Sequence, residues 1–124
     1  FSKNSKLPKN AVGISTRDKE FLSNTIAIME KNISNSNFGV EELAQEIGLS
    51  TSHFYRRLKQ LTGQAPNVYL RNFRLQRAAE LLGHNEGFNV AEVMYQIGIE
   101  SNSYFSTAFK KLHGVSLSEF TKTN

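Results

Sequence analysis

The residues most able to do chemistry in this chain are hydrogen-bond donors that recur at helical spacing. In STSHFYRRLKQLTG, at 50–63, one predicted helix face carries donors at i, i+3, i+4 and i+7, namely Ser52, Tyr55, Arg56 and Lys59. The opposite face carries an apolar stripe of Phe54, Leu58 and Leu61. A helix divided in this way buries one side and offers hydroxyl, guanidinium and ammonium groups on the other. The chemistry it predicts is recognition by hydrogen bonds.

A later stretch, SYFSTAFKKLHG at 103–114, shows the same division into two faces. Its predicted outward side chains are short and polar, and they are Asn102, Ser103, Ser106 and Thr107. An Asn amide can bond adenine N6 and N7 together, whereas the planar fork of Arg56 suits guanine O6 and N7. The two helices therefore indicate recognition of base edges in a nucleic-acid duplex.

The two helices belong to a unit that occurs twice. Six positions from Val40 to Leu49 match Val90 to Ile99 at an offset of 50, and five positions from Phe54 to Gly63 match Phe105 to Gly114 at an offset of 51. A single inserted residue in the second turn explains the change. Helix, glycine-containing turn and second helix describe a helix-turn-helix unit. Its first helix braces the second, whose outer face is left free to enter a major groove.

Capping residues, glycines and helical periodicity predict the rest of the chain. They indicate an all-α fold of about seven helices, in which a long linker helix joins two helix-turn-helix subdomains. The predicted parts are a linker or arm at 1–14, an N-terminal helix with the first unit at 15–66, the linker helix at 67–83 and the second unit at 84–124. A linker helix of about 25 Å predicts that both outer faces point to one side of a duplex, whose successive major grooves lie about 34 Å apart.

Composition and motif content argue against several other classes. The 124 residues carry a net charge of +4 and no Cys, which favours a polyanionic partner and excludes disulfides and thiolate metal sites. The residues His53, His84 and His113 are scattered, and the sequence has no HExxH motif or glycine-rich phosphate loop. We expect a protein that is not an enzyme and needs no metal or cofactor. No apolar run approaches the roughly 18–20 residues that span a bilayer, and the start at Phe1 predicts a fragment of a longer protein.

Three stretches, VEELAQEIGLSTSHFYRRLKQLTGQAP, YLRNFRLQRAAELL and VAEVMYQIGIESNSYFSTAFKKLHGVS, together resemble the DNA-binding domain of AraC-type (AraC/XylS) transcription regulators. With the helix before them, they look most like the C-terminal output domain of hybrid two-component regulators in that family. The resemblance implies a homeodomain-like fold of seven helices, transcription activation, and control by phosphorylation elsewhere in the parent protein. Two positions depart from the family pattern, because Leu117 stands where Pro is usual and Thr121 where Arg often follows the last aromatic residue.

The partners implied by the resemblance are double-stranded DNA, RNA polymerase, and receiver and sensor domains upstream in the parent chain. We expect the isolated fragment to be a monomer that makes no membrane contact. Its expected location is the bacterial cytoplasm, with a parent protein that can itself be membrane-anchored.

The candidate contact residues come from the helix faces and from the family resemblance. Base contacts are predicted for Ser52, His53, Tyr55, Arg56, Asn102, Ser103, Ser106 and Thr107. Phosphate contacts are predicted for Thr51, Arg57, Lys59, Arg71, Arg74, Lys110 and Lys111. Plain solvation stays open for the charged residues, as does pairing of one linker arginine with Glu80. The other aromatic residues are interpreted as packing residues, namely Tyr69, Phe73, Phe88, Tyr104 and Phe120.

The rival interpretation is a helical protein-interaction module. Such a module would expose apolar side chains on the outer faces of the two second helices. This sequence places Ser, Asn, Thr, Tyr and Arg there, which favours DNA.

Overall fold

A computed structural model describes residues 15–83 and 87–123, and within them the chain forms seven α-helices and no strand. The helices are α1 (Thr16–Lys31), α2 (Val40–Ile47), α3 (Thr51–Thr62), α4 (Pro66–Gly83), α5 (Val90–Ile97), α6 (Asn102–His113) and α7 (Leu117–Thr123). The all-α prediction is confirmed for this part of the chain. The predicted arm at 1–14 and the residue His84 lie outside the described residues.

Local capping chemistry sets the helix boundaries. The hydroxyl of Ser15 accepts a hydrogen bond of 3.1 Å from the backbone N–H of Asp18, and Ser50 does the same for His53. The hydroxyls of Ser101 and Ser116 repeat the pattern ahead of α6 and α7. Each serine satisfies a backbone donor that the first helical turn leaves without an intrahelical acceptor. These four serines therefore set where α1, α3, α6 and α7 begin.

The described residues form two compact units, divided within α4 between Tyr69 and Leu70. The first unit comprises 15–32 and 38–69. The second comprises 33–37, 70–83 and 87–123, so residues between α1 and α2 belong with the second compact unit.

The core of the first unit forms where α1 packs with α2 and α3. Fully buried side chains include Leu22 and Met29 from α1, Leu43 from α2, and Phe54 and Leu58 from α3. The rings of Phe21 and Phe54 meet edge to face, with 5.9 Å between centroids. Phe54 and Leu58, from the predicted apolar stripe of α3, therefore form part of this core.

The core of the second unit is built from α4, α5 and α6 together with Ile33 and Ile99 of the connecting segments, and α7 packs against it. Its buried side chains are Ile33, Leu75, Ala78, Leu82, Val93, Met94, Ile97, Ile99, Phe105 and Phe109. Leu117 packs against this core, and Phe120 lies 5.3 Å from Phe109 between ring centroids, so α7 docks even with Leu in place of the family's Pro. His113, one of the three scattered histidines, also packs here, because its ring lies 4.4 Å from that of Phe109 and its Nε2 lies 3.1 Å from the carbonyl oxygen of Leu75.

Within residues 15–83 and 87–123, no helix combines the length and the apolar character needed to cross a membrane. The same residues contain no cluster of three or more His, Cys, Asp or Glu side chains able to hold a metal ion.

The turn glycines of the two units have the same backbone conformation but different surroundings. Gly48 and Gly98 end α2 and α5 with φ of 92° and 73°, a left-handed region that favours glycine. A Cβ at Gly48 would have no heavy atom within 4 Å. A Cβ at Gly98 would collide with the carbonyl oxygen of Ile33 and would lie 2.6 Å from Nη1 of Arg74.

We therefore expect Gly98→Ala to destabilise the chain more than Gly48→Ala. Both substitutions carry the left-handed cost of roughly 1–2 kcal/mol, and Gly98→Ala adds an overpacking cost of about 1–3 kcal/mol. Urea unfolding followed by circular dichroism measures the difference. An equal decrease in the free energy of unfolding for the two variants would show that the close contacts at Gly98 add nothing to the cost of Gly98→Ala.

Candidate nucleic-acid interface

The outer face of α3 is exposed as predicted, because its apolar side is held in the core. Phe54 and Leu58 have no exposed surface. This fixes the rotation of α3, so that the predicted base-contact residues face solvent: Ser52, His53, Tyr55 and Arg56. Tyr55 is 46% exposed and does not pack its ring into the unit.

The outer face of α6 is positioned by the equivalent pair, Phe105 and Phe109, which are also fully buried. The side chains predicted to contact bases are exposed here too: Asn102, Ser103, Ser106 and Thr107. The hydroxyl of Ser106 donates a long hydrogen bond of 3.4 Å to Oδ1 of Asn102, one turn earlier on the same face. The surface of α6 is therefore polar and short-chained, in contrast to the Tyr and Arg of α3.

One residue of this surface was missed. Tyr104 was interpreted as a packing residue, yet it is 47% exposed. At the offset of 51 it occupies the position of His53, which was placed on the outer face of α3. The repeat contained the signal, but the aromatic side chain suggested a core position. Tyr104 adds a ring and a hydroxyl to the α6 surface.

The predicted phosphate contacts divide into accessible and inaccessible groups. The accessible ones are Thr51, Lys59, Lys110 and Lys111, all exposed. Arg71 is half-buried, and it lines a groove of about 370 Å³ together with Lys111 and Tyr104. Two cationic side chains thus lie at one groove beside α6.

The structure does not favour the phosphate contact predicted for Arg57, because residues of α1 contact its side chain. Its guanidinium carbon lies 4.2 Å from the ring centroid of Phe21, and Nη2 lies 3.5 Å from Oδ1 of Asp18. Only 25% of the Arg57 side chain is exposed. Its position favours attachment of α3 to α1 over a phosphate contact.

The phosphate contact predicted for Arg74 conflicts with its burial, because the residue is only 6% exposed. Its Nη1 donates to the carbonyl oxygens of Gly98 at 2.9 Å and Ile97 at 3.2 Å, and its Nη2 donates to that of Asn35 at 3.2 Å. Burial lowers the pKa of this guanidinium, and the charge interaction with Tyr104 opposes that shift. A buried cation bonded to three carbonyl oxygens is a structural group, so the predicted phosphate contact is wrong for Arg74.

Pairing of a linker arginine with Glu80 is seen at Arg77, whose Nε lies 3.1 Å from Oε1 of Glu80. The expectation that the outer faces of α3 and α6 point to one side of a duplex stays a prediction.

Comparison with known proteins agrees with this geometry. The helix-turn-helix domain family matches residues 43–123. Histidine kinase P4 of Formosa agariphila is 34% identical over 111 residues, which make up 90% of this chain and 8% of that kinase. The C-terminal domain of AraT, a response regulator from Geobacillus stearothermophilus, has a TM-score of 0.75 at 29% identity, covering 90% of this chain and 88% of that one. The DNA-binding domain of the global transcriptional factor AdpA, solved with a target DNA, has a TM-score of 0.73 at 28% identity, covering 82% and 89%.

The fold and the two exposed polar helices define a DNA-binding domain with two helix-turn-helix units. The chain belongs to the AraC-type helix-turn-helix family of transcription regulator domains, as the sequence resemblance indicated. The family is one of DNA-binding transcription regulator domains and not an enzyme family, and the kinase activity in that relative's name concerns other domains of that protein. The chain spans less than a tenth of that relative's length.

The neighbouring arginines of α3 allow a matched stability test. We expect Arg57→Ala to lower the free energy of unfolding by about 1 kcal/mol, because it removes a cation–π contact and a partly exposed ion pair. The control Arg56→Ala removes an exposed side chain and should stay within about 0.5 kcal/mol of wild type. Chemical denaturation measures both. An equal effect of the two substitutions would mean that the contacts of Arg57 with α1 do not stabilise the unit.

Proposed function

We propose that this chain binds double-stranded DNA sequence-specifically through the outer faces of α3 and α6 and thereby regulates transcription. The observation that carries the proposal is the repeated arrangement of a fully buried apolar pair beneath an exposed polar face: Phe54 and Leu58 in α3, Phe105 and Phe109 in α6. A helix anchored in this way can enter a major groove without losing its packing on the domain.

The proposed base readers differ between the two helices. Arg56 has the planar fork that bonds guanine O6 and N7 together, and Ser52, His53 and Tyr55 surround it on the exposed face of α3. On α6, Asn102 suits adenine, and the methyl group of Thr107 can contact a thymine methyl. Ser103 and Ser106 discriminate weakly, since a hydroxyl both donates and accepts. We therefore assign more of the sequence specificity to α3.

The proposed phosphate contacts position the chain on the duplex and carry no sequence information themselves. They are Thr51, Lys59, Arg71, Lys110 and Lys111. The groove shared by Arg71 and Lys111 supports a contact with one DNA strand beside α6.

The proposed setting is the output end of a larger signalling protein. The support is the similarity to a histidine kinase of which the chain spans 8%, and to the C-terminal domain of a response regulator. In this setting, receiver and sensor domains precede the chain, phosphorylation of the parent controls it, and RNA polymerase is a further partner in activation. The bacterial cytoplasm follows as the location from the proposed DNA partner. We expect the chain alone to be monomeric in solution.

The operator sequence can be recovered by selection from a random duplex library, and it then serves to test Arg56. We expect Arg56→Ala to weaken binding of the selected duplex by about 1–3 kcal/mol and to relax the choice of base at one position. A fluorescence anisotropy titration against single-base variants of the site measures both effects. Unchanged affinity together with unchanged base preference would remove Arg56 from base reading.

A matched control for this test is Lys59→Ala, on the same helix. As a phosphate contact, Lys59 should contribute equally to every duplex, so its loss should weaken all single-base variants by the same factor. A base-dependent loss for Lys59→Ala would contradict the division between base and phosphate contacts.

Salt dependence distinguishes DNA binding from the rival protein-interaction function. Each neutralised phosphate contributes a slope of about −0.9 to a plot of log affinity against log salt. Four of the five proposed phosphate contacts are cationic, since Thr51 carries no charge, and we therefore expect a slope of roughly −3 to −4. Lys59→Ala should reduce its magnitude by about 1, whereas Arg57→Ala should leave it unchanged. A flat profile for the wild-type chain would favour the rival function.

A further inference from the structure

The segment Ile33–Asn37 packs in the second unit against the turn that leads into α6. We propose that this segment, called the brace below, positions α6 for DNA recognition by holding that turn at Ile97–Glu100. The inference rests on the proposed DNA-binding function. It assigns a role in recognition to residues outside the helix-turn-helix unit itself.

The first link between brace and turn is Arg74. Its guanidinium lies between the two segments, with Nη2 donating to the carbonyl oxygen of Asn35 and Nη1 donating to those of Ile97 and Gly98. Three backbone acceptors thereby share one buried cation. Hydrogen bonds to a charged donor are stronger than neutral ones, so Arg74 resists separation of the brace from the turn.

The second link is direct packing of backbone on backbone. A Cβ added at Gly98 would overlap the carbonyl oxygen of Ile33 and lie 3.2 Å from the carbonyl carbon of Ser34. The side chain of Ile33 is buried in the core of the second unit, among Ile97 and Ile99. Backbone atoms of the brace therefore lie so close to Gly98 that no side chain fits at this position.

The third link involves the residue that distinguishes the two turns. The first turn reads Gly48, Leu49, Ser50, whereas the second reads Gly98, Ile99, Glu100, Ser101, so that Glu100 is the inserted residue. The hydroxyl of Ser36 donates to Oε2 of Glu100 at 3.0 Å. Glu100 directly precedes Ser101, whose hydroxyl caps α6. The extra residue thus ties the brace to the start of the recognition helix.

The first unit shows what the turn looks like without these contacts. Gly48 has the same left-handed conformation as Gly98, yet an added Cβ there would meet nothing within 4 Å. This difference between the two turns matches a difference in the length of the side chains on α3 and α6. The long side chain of Arg56 can reach a base from a range of helix positions. Asn102, Ser103 and Thr107 are short, so their hydrogen bonds depend on accurate placement of α6.

The test uses three substitutions at exposed positions, where unfolding is not expected. Ser36→Ala and Glu100→Ala each remove the hydrogen bond, and Glu100→Gln removes the charge while keeping an acceptor. The first measurement is hydrogen–deuterium exchange of the backbone amides at 99–105, with those at 49–54 as an internal reference. We expect Ser36→Ala and Glu100→Ala to speed exchange at 99–105 about two- to tenfold, the value of one hydrogen bond. The double variant should be no faster than either single one.

The second measurement is affinity for the selected duplex. Ser36→Ala should weaken binding by a similar factor of about two to ten. The bases read by Asn102 are those at which Asn102→Ala loses its preference. On a duplex in which these bases have been replaced, Ser36→Ala should bind as tightly as wild type. Glu100→Gln should bind at least as well as wild type, because the loss of a negative charge near DNA does not oppose binding.

The outcomes separate the two proposals. Unchanged exchange at 99–105 would show that the brace does not hold the turn. Faster exchange with unchanged affinity for the selected duplex would overturn the positioning role alone. Failure of the wild-type chain to select any duplex would overturn the proposed function and the positioning role with it, while leaving the exchange result intact. A loss on the selected duplex that disappears on the altered one supports the inference.

Discussion

Burial of two side chains one helical turn apart is the constraint on which both recognition helices depend. Phe54 and Leu58 fix α3, and Phe105 and Phe109 fix α6, each with no exposed surface. Because side chains three to four residues apart lie on one helix face, fixing two of them fixes the rotation of the whole helix. The residues on the opposite face of the helix must then face solvent. The polar surface of each helix is thus a consequence of apolar packing beneath it.

The environment of each arginine, and not its residue type, decides what it does. Arg56 is exposed at the centre of the α3 surface, whereas Arg57 lies over Phe21 beside Asp18. Arg74 is buried and bonded to three backbone carbonyl oxygens. Removing a buried charge from water is costly unless hydrogen bonds replace hydration. The basic character of the chain therefore overstates the number of cations available to a polyanionic partner.

Features set by nearby residues could be predicted from the sequence. Helix ends follow from Ser50 and Gly48 and from their counterparts Ser101 and Gly98, since a cap or a left-handed turn involves residues only a few positions apart. The roles of Arg74 and Asn35 could not be predicted in this way. They are 39 positions apart in the chain, and helical spacing on α4 gives no information on what its inward face meets.

The two copies of the repeat differ both in the turn and in the surface of the second helix. The first unit combines a short turn with a surface that contains Tyr55 and Arg56, and the second combines a longer turn with a surface of Asn102, Ser106 and Thr107. A long, flexible side chain tolerates some error in helix position, because rotation about its bonds can recover the contact. A short side chain has too few rotatable bonds to correct such an error, so its contact with a base depends on accurate placement of the helix backbone. Glu100, inserted ahead of α6 and bonded to Ser36, supplies that accuracy where the short side chains require it.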